Sequence, residues 1–557
     1  MVFSINLFNY FVYSQLGGKK NNEAKWETFQ HNGVLFPEPY KAHKIPLIYD
    51  GKRINLDAES EEYATIYAKF IGTEYLNNKT FNKNFFNDWK IYLKKGGFSE
   101  ITDFSKCDFT LIHDYILKHR EEKLNLSKEE KEKIKEEKDK YEEKYKTALV
   151  NRKEQAVGNF RIEPAGIFLG RGCHPKAGKI KKRIYPEDII INIDKKSSIP
   201  ELPKFYKDRK WGKVIHDNTL EWIASWKDTI TGKMKYVWLG AKSEFKAKSD
   251  LNKFETARKL KNKIGLIRKT NYENIISSST DEKTKQLGCA LYLIDNLALR
   301  VGNEKGDDEA DTVGVCSLRV EHITFLEDTK IKLDFLGKDS VRYVNTVKID
   351  ENVYTTLISF TKNKKKNDDL FDLINPSMLN IYLKSMMEEL TAKVFRTFNA
   401  SLLFQNEILT INEKYDNYSN EDKLNILLDM YNKANVKVAM LCNHQKNVSK
   451  SFNDQIEKMN DKIKVLSDKK KELQKDKKKN KEKLKKIEIK LKDAKNKKNL
   501  KIEMKNLSLT TSKTNYIDPR ITISFLKYHN IPIEKVFSQA LRDKFFWAMD
   551  VDKSWNF

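Results

Sequence analysis

Long apolar runs are missing from this 557-residue chain. Nowhere do the roughly 20 consecutive apolar residues needed to span a bilayer occur, which excludes a membrane-spanning helix. Cysteine is scarce: Cys107, Cys173, Cys289, Cys316 and Cys442 lie far apart, with no Cys-x-x-Cys spacing. That distribution excludes a zinc ribbon and a secreted disulfide framework, and it fits a reducing interior. A secretory leader is not expected either, because Met1 to Gln15, though apolar, has no basic start and no small-residue cleavage site. Acidic residues are in short supply, 79 against 105 lysines and arginines, a formal net charge of +26. Such a balance calls for a polyanionic partner, with nucleic acid first and an anionic membrane surface second. Aromatic residues make up 11% of the chain, so the basic excess sits on material that can pack cores, and the length allows two to four domains.

Residues 25–100 read as short β-like runs broken by turns such as Phe36-Pro37-Glu38-Pro39 and Tyr49-Asp50-Gly51-Lys52. From Ser127 to Tyr145 a Lys/Glu-rich pattern predicts a solvated, salt-bridged helix. Glycines at 166, 170, 172 and 178 could let backbone approach a phosphate, but they match no nucleotide fingerprint. The cluster Lys179-Ile180-Lys181-Lys182-Arg183 reads equally as a phosphate contact, a nuclear-import patch or a solvated charge run. Strands are expected at Asp188–Ile193 and Tyr236–Leu239, and mainly helix from Asp250 onward, interrupted by a hairpin near Ile331–Val347. Between 450 and 507, Ile456, Met459, Ile463, Leu466 and Leu473 keep a 3/4/7 spacing, as do Leu484, Ile487, Leu491 and Ala494. Separated by a polar Lys-rich run at 475–480, they predict an antiparallel coiled-coil hairpin with lysine on its outer faces.

The most informative stretch is Ser512-Lys513-Thr514-Asn515-Tyr516-Ile517-Asp518-Pro519-Arg520. Asp518 can cap a helix that Pro519 begins, which leaves a phenol just upstream in a basic setting. A tyrosine so placed can attack a phosphodiester if cations hold the two non-bridging oxygens and an acid protonates the departing one. Arginine suits the first task because its fork grips two oxygens; lysine or histidine suits the second. Arg300 follows an apolar helix that Gly302 should stop; Lys338 occupies a turn after the alternating Ile331, Leu333 and Phe335. Arg396 lies in Lys393-Val394-Phe395-Arg396-Thr397 and His444 in Cys442-Asn443-His444-Gln445. Singly, each has a commoner explanation: a cation at a helix terminus, a solvated turn lysine, a structural ion pair, a satisfied half-buried histidine.

Together, the order Arg…Lys…Arg…His…Tyr in these surroundings resembles the eukaryotic type IB DNA topoisomerases. The likeness extends to Arg161-Ile162-Glu163-Pro164, Pro186 to Asn192, Ala310 to Gly314, Ser317 to His322 and Phe545-Phe546-Trp547-Ala548, nearly the whole chain. The resemblance implies that Tyr516 becomes linked to a DNA 3′-phosphate, that Arg300, Arg396 and His444 hold the transition-state oxygens, and that Lys338 protonates the 5′-oxygen. Strand rotation and resealing would follow, with no ATP, metal or other cofactor, because the covalent intermediate keeps the bond energy. It further implies that Lys123, Arg171, Trp222, Lys235, Tyr236 and Lys253 line duplex DNA. Asn303, Lys305, Thr312, Thr391, Ala392 and Lys393 would do the same. Asp339 and Asn515 fall at the family's pocket for planar poisons. Leu169 stands where arginine is frequent in the family, so one phosphate contact is expected to be missing.

The fold class so implied is α+β and multidomain: a two-lobed DNA clamp with a mixed α/β cap, a mainly helical catalytic lobe and a coiled-coil linker. The expected divisions are an N-terminal extension at 1–24, the cap at 25–243, the catalytic lobe at 244–447, the linker at 448–508 and the tyrosine-bearing segment at 509–557. Double-stranded DNA is the expected partner, with no membrane contact, for a monomer in the nucleus; the family's long charged N-terminal region is not in this sequence. The acidic run Asp307, Asp308, Glu309 and Asp311 is too loosely spaced for a magnesium site and reads as a polar loop. Two other classes remain: a tyrosine recombinase, which shares the Arg/Lys/His/Tyr chemistry, and a basic DNA-binding scaffold with no catalysis.

Overall fold

The computed structural model describes residues 23–303, 306, 309–415, 420–446, 448, 451–475 and 481–557. Residues 1–22, Lys305, Asp307, Asp308 and the polar Lys-rich residues 476–480 lie outside the described residues. The chain divides into two compact units, Met1–Lys246 with Lys305–Asp311, and Ala247–Glu304 with Thr312–Phe557.

In chain order the first unit runs β1 (Phe29–His31), β2 (Leu47–Tyr49), β3 (Lys52–Ile54), α1 (Ala58–Ala68), α2 (Lys79–Lys95), β4 (Cys107–Asp108), α3 (Thr110–Asn125) and α4 (Lys128–Glu142). It continues through β5 (Thr147–Val150), β6 (Lys153–Ala156), β7 (Gly166–Ile167), β8 (Ile180–Lys181), β9 (Ile190–Asn192), β10 (Lys213–Ile215), β11 (Trp222–Lys227) and β12 (Met234–Trp238). Helices α1 and α2 stand where the sequence reads as broken β-like runs. Their caps are conventional: the Asp57 carboxylate accepts from Glu59 and Ser60, and Asn78 accepts from Thr80 and Phe81. The β-like appearance of α2 comes from its aromatics, yet Phe81, Phe85, Phe86, Trp89 and Leu93 are spaced for one helical face and are all buried. Burial of that face outweighs the strand preference of the individual residues. Ser127 and Glu130 form a reciprocal capping box that starts α4.

A four-stranded sheet in the order β10-β9-β11-β12 carries the second apolar cluster of this unit. Trp222 to Trp226 of β11 are buried throughout, whereas β12 buries Val237 and exposes Met234, Tyr236 and Trp238. The 179–183 cluster is largely neutralised internally. Lys179 pairs with Asp88 at 2.8 Å, Lys181 pairs with Glu163, and Arg183 pairs with Glu62 at 2.6 Å while donating to the Glu38 carbonyl. Only Lys182 of its four cations is exposed, so the segment does not form a free basic patch.

Helix α5 (Glu244–Ile276) leads into the second unit. There follow α6 (Glu282–Leu297), β13 (Ile323–Leu326), β14 (Lys330–Leu336), β15 (Arg342–Lys348), α7 (Glu351–Ser359), α8 (Pro376–Met386), α9 (Ala392–Tyr415) and α10 (Asn420–Leu441). The remainder is α11 (Phe452–Gln474), α12 (Lys481–Glu503), α13 (Leu509–Asn515), α14 (Pro519–Tyr528) and α15 (Gln539–Lys544). One large core joins helices α5 to α10 and α14 with the β13, β14 and β15 strands and includes Phe395, Phe398 and Phe404 of α9, Tyr431 of α10 and Ile521 and Phe525 of α14. The expected hairpin is the outer part of a three-stranded antiparallel sheet, β13-β14-β15, registered from Lys330 opposite Lys348 to Leu336 opposite Arg342. Ile331, Leu333 and Phe335 alternate inward as their spacing predicts.

Helices α11 and α12 pack against each other. Ile456, Met459, Ile463, Leu466 and Leu473 are half-buried along one, Ile487 and Leu491 are buried on the other, and Lys470 pairs with Glu488 at 2.8 Å. The returning chain lies beside the one that left: Lys446 donates to the Asn506 carbonyl at 2.8 Å, and Ser508 donates to the His444 carbonyl at 2.7 Å. This pairing delivers α13 to the edge of the second unit's core.

Candidate active site

Six segments of the second unit converge on one cavity, lined among others by Arg300, Gly314, Lys338, Asp339, Tyr343, Arg396, Cys442, His444 and Thr511. Arg300 is presented by a backbone crossing. Helix α6 stops not at Gly302 but at Ala298, which takes a left-handed conformation (φ 48°). Gly302 (φ 81°) serves instead to pass against Gly314, where an added Cβ would meet the Gly314 backbone at 2.7 Å. The crossing is held by Val315 donating to the Arg300 carbonyl at 2.9 Å and Cys316 donating to that of Val301 at 2.7 Å.

Lys338 lies exposed in the turn from β14 to β15. That turn bends through Asp339 and Ser340, both left-handed (φ 66° and 58°). Arg396 projects from the first turns of α9 and is 6% exposed. Its two terminal nitrogens donate to the Ala298 carbonyl and, at 2.9 Å, to the Cys442 carbonyl; the latter nitrogen also lies 3.4 Å from His444 Nε2. Among the described residues its Nε has no hydrogen-bond partner. Thus Arg396, not Arg300, is the cation at the end of α6. A guanidinium is charged at any ordinary pH, and among the described residues no carboxylate forms an ion pair with this one, although it is buried.

His444 follows α10 and is 5% exposed. Its backbone N–H donates to the Ala439 carbonyl at 2.8 Å, and its Nδ1 lies 2.8 Å from Ser512 Oγ. Burial, reinforced by the charges of Arg396 and Arg300, drives its pKa down to about 3, so the imidazole is neutral. Burial also raises the Cys442 thiol, which leaves it un-ionised.

Tyr516 caps α13. Its ring stacks on the His444 imidazole (centroids 5.1 Å, planes 27° apart), and the Arg396 guanidinium sits 5.0 Å from the ring centre. Its carbonyl accepts from the Ser401 hydroxyl at 3.0 Å, and Ser401 Oγ in turn accepts from the Asp518 N–H. Two residues on, Asp518 caps α14 and chelates Arg520, which also reaches Glu255 of α5 at 2.5 Å and lies against the Trp547 and Trp555 rings. The structure therefore gathers Arg300, Lys338, Arg396 and His444 around one cavity, with the Tyr516 ring against two of them. Ser512, Ser401 and Arg520 hold this arrangement; Ser512 and Arg520 stand out in the sequence only by nearness to Tyr516, and Ser401, 115 positions away, does not stand out at all.

The other expected residues are dispersed. In the first unit Lys123 and Arg171 are exposed; Lys235 pairs with Glu163 at 2.9 Å and Asp228 at 3.0 Å; Tyr236 is exposed with its ring 5.7 Å from that of the buried Trp222. Glu163, which holds both Lys181 and Lys235, was not anticipated in that role. In the second unit Lys253 reaches Asp250 at 3.4 Å, Asn303 and Lys393 are exposed, Thr312 and Thr391 are half-buried, and Ala392 is buried with its N–H donating to Asn380. Asp339 and Asn515 are exposed. Leu169 is 37% exposed, and Glu309 of the acidic run pairs with Lys233. Among the described residues there is no group of three or more potential metal ligands, and no helix is long and apolar enough to cross a membrane.

A buried, uncompensated arginine beside a tyrosine, a neutral histidine and a second arginine defines a class: a site built to hold an anion next to a tyrosine. Independently of the site, family models match most of the chain. The model of the eukaryotic DNA topoisomerase I catalytic core matches residues 242–477, that of the DNA binding fragment residues 24–239, and that of the C-terminal topoisomerase domain residues 481–557. DNA topoisomerase 1 beta of Arabidopsis thaliana is 44% identical over 563 residues, covering 96% of this chain and 60% of that protein. DNA topoisomerase 1 of Caenorhabditis elegans is 43% identical (96% and 68%) and that of Homo sapiens 40% identical (96% and 72%). The chain belongs to the eukaryotic DNA topoisomerase I family. It spans 60% of the length of the Arabidopsis relative.

Proposed function

We propose that this chain is a type IB DNA topoisomerase, which relaxes supercoiled duplex DNA by cutting and resealing one strand. The Tyr516 oxygen, its proton passing to water, attacks a backbone phosphorus and displaces the 5′-oxygen while Arg300, Arg396 and His444 hold the non-bridging oxygens. Lys338, on its hairpin turn, gives a proton to the departing 5′-oxygen. The bond to the 3′-phosphate then preserves the energy of the broken one, so resealing after strand rotation requires neither ATP nor a metal or other cofactor. The observation that carries this reading is Arg396: a cation 6% exposed, bonded to neutral carbonyls, with an unpartnered Nε and the tyrosine ring alongside. Burying such a charge costs several kcal/mol unless an anion compensates it, and a phosphodiester supplies that anion.

Around this centre the first unit would act as the cap and the second as the catalytic lobe of a clamp on duplex DNA. The α11–α12 hairpin would be a coiled-coil linker, and the segment from 509 onward would deliver the nucleophile. Lys123, Arg171, Trp222, Lys235, Tyr236 and Lys253 would meet the duplex, joined by Asn303, Lys305, Thr312, Thr391, Ala392 and Lys393. Of these, Trp222 would act by backing Tyr236, since its own side chain is buried, and Ala392, buried with its N–H on Asn380, would act by seating its neighbours Thr391 and Lys393. Asp339 and Asn515 would border the planar-poison pocket. The enzyme would work as a monomer, in the nucleus, with binding directed mainly at phosphates and steeply salt-sensitive.

Purified protein mixed with supercoiled plasmid in chelator, without ATP, tests the activity. Relaxation by a monomer is expected. Strand exchange between paired sites would indicate a recombinase instead, and binding without relaxation would leave only a DNA-binding scaffold.

A further inference from the structure

We propose that Ser512 is a positioning residue that partners His444 Nδ1 in either neutral tautomer, so that the histidine can turn an Nε2 hydrogen to phosphate only while the tyrosine-bearing segment is docked. The inference rests on the function proposed above and concerns a residue to which that mechanism gives no task. Ser512 is fully buried, and its Oγ lies 2.8 Å from His444 Nδ1. The opposite ring nitrogen, Nε2, lies 3.4 Å from an Arg396 terminal nitrogen. A guanidinium only donates. Nε2 therefore presents its lone pair to Arg396, and the ring proton sits on Nδ1, donated to the serine oxygen.

That is the wrong state for stabilising a phosphate oxygen, which needs a hydrogen on Nε2. Protonating the whole ring is not the remedy in the free protein, where burial and two neighbouring arginines hold it neutral. The other neutral tautomer serves, with Nε2–H toward phosphate and the Nδ1 lone pair toward Ser512. A hydroxyl suits both states, because it accepts from Nδ1–H in one and donates to Nδ1 in the other by rotating its own hydrogen. The imidazole exchanges one proton with water, its total unchanged, and Ser512 keeps its own.

The placement of this hydroxyl couples it to the nucleophile. Ser512 lies one helical turn before Tyr516 on α13, and its carbonyl accepts from the Tyr516 N–H at 3.0 Å. The same segment thus engages His444 twice, by the hydroxyl at its edge and by the tyrosine ring on its face. If α13 leaves, the histidine loses both constraints.

Two measurements test this. In protein labelled with ¹⁵N-histidine and carrying Tyr516→Phe, the His444 resonances, assigned by their loss in His444→Gln, should show Nδ1 protonated without DNA. Adding a duplex oligonucleotide should move the proton to Nε2. Ser512→Ala should leave a tautomer mixture in both states; an unchanged tautomer in that variant overturns the proposal. In single-turnover cleavage, His444→Ala should cost about 10²–10³-fold, as removal of one oxyanion donor does. Ser512→Ala should cost about 10-fold with DNA affinity unchanged, the scale of one hydrogen bond. Ser512→Thr, which keeps the hydroxyl, should recover part of that loss. Added to His444→Ala, the Ser512→Ala change should cost nothing further; an equal loss in both backgrounds makes Ser512 merely structural. Wild-type protein without relaxation activity would sink the proposed function, while the tautomer measurement would still decide the role of Ser512.

Discussion

Replacing Arg396 by methionine should separate stability from activity. The substitution keeps the bulk of the stem but removes the charge and the donors. Two buried carbonyls, those of Ala298 and Cys442, lose their hydrogen bonds. Orphaning a buried acceptor costs about 1–3 kcal/mol each. Against that, a guanidinium with no carboxylate partner no longer has to be kept out of water, which returns several kcal/mol. The two terms nearly cancel, so the melting temperature of the DNA-free protein should move little or rise. Cleavage should collapse by at least the ~10²–10³-fold typical of one lost oxyanion donor, and more if both non-bridging oxygens lean on this residue. Duplex oligonucleotide should also stabilise the variant less than wild type, because part of the stabilisation comes from phosphate meeting that cation. Calorimetry with and without oligonucleotide, alongside single-turnover adduct formation, provides the check. A variant that melts much lower yet cleaves at the normal rate would show Arg396 to be a structural cap and refute the reasoning.

Three further outcomes are expected. Tyr516→Phe should bind DNA and melt as wild type, since its hydroxyl makes no hydrogen bond among the described residues, but a denaturing gel should show no protein–DNA adduct; an adduct in this variant removes Tyr516 as nucleophile. Lys338→Ala should cleave slowly an ordinary phosphodiester and nearly normally one with a 5′-bridging sulfur, which departs without a proton; equal losses on both substrates dismiss Lys338 as the acid. His444 ionises near 6.5 when unfolded but only at about 3 when folded. Its contribution is therefore complete above about pH 6.5 and is lost as pH falls, because the unfolded chain takes a proton that the folded one refuses. The loss runs at about 1.4 kcal/mol per pH unit. His444→Gln should flatten the fall in melting temperature over that window, and an unchanged slope would contradict the burial argument.

Much of the chemistry was legible before any tertiary contact was known. Tyr516 stands before a helix begun by Asp518 and Pro519, an arrangement dictated by side-chain capping and proline geometry within a few residues. The hairpin that carries Lys338 follows from strict alternation of Ile331, Leu333 and Phe335, and the α11–α12 pair from its 3/4 spacing. These are local rules, and a sequence states them directly. Helix α2 was misread because its aromatics prefer strands one by one, while its helical face pays off only against a core.

What only tertiary structure decided is which charges are free and which are spent. Lys181, Lys235 and Arg183 look available in the sequence, yet each meets a carboxylate distant along the chain. Arg396 looks like one more arginine, yet folding strips it of water and leaves it against neutral acceptors, two carbonyls and the His444 ring. The neutrality of His444, the hydroxyl of Ser512 at its edge and the crossing of Gly302 with Gly314 are likewise properties of segments that meet only after folding. Desolvation and charge pairing act through space between residues tens to hundreds of positions apart, so a linear pattern names the chemical groups but not their electrostatic state.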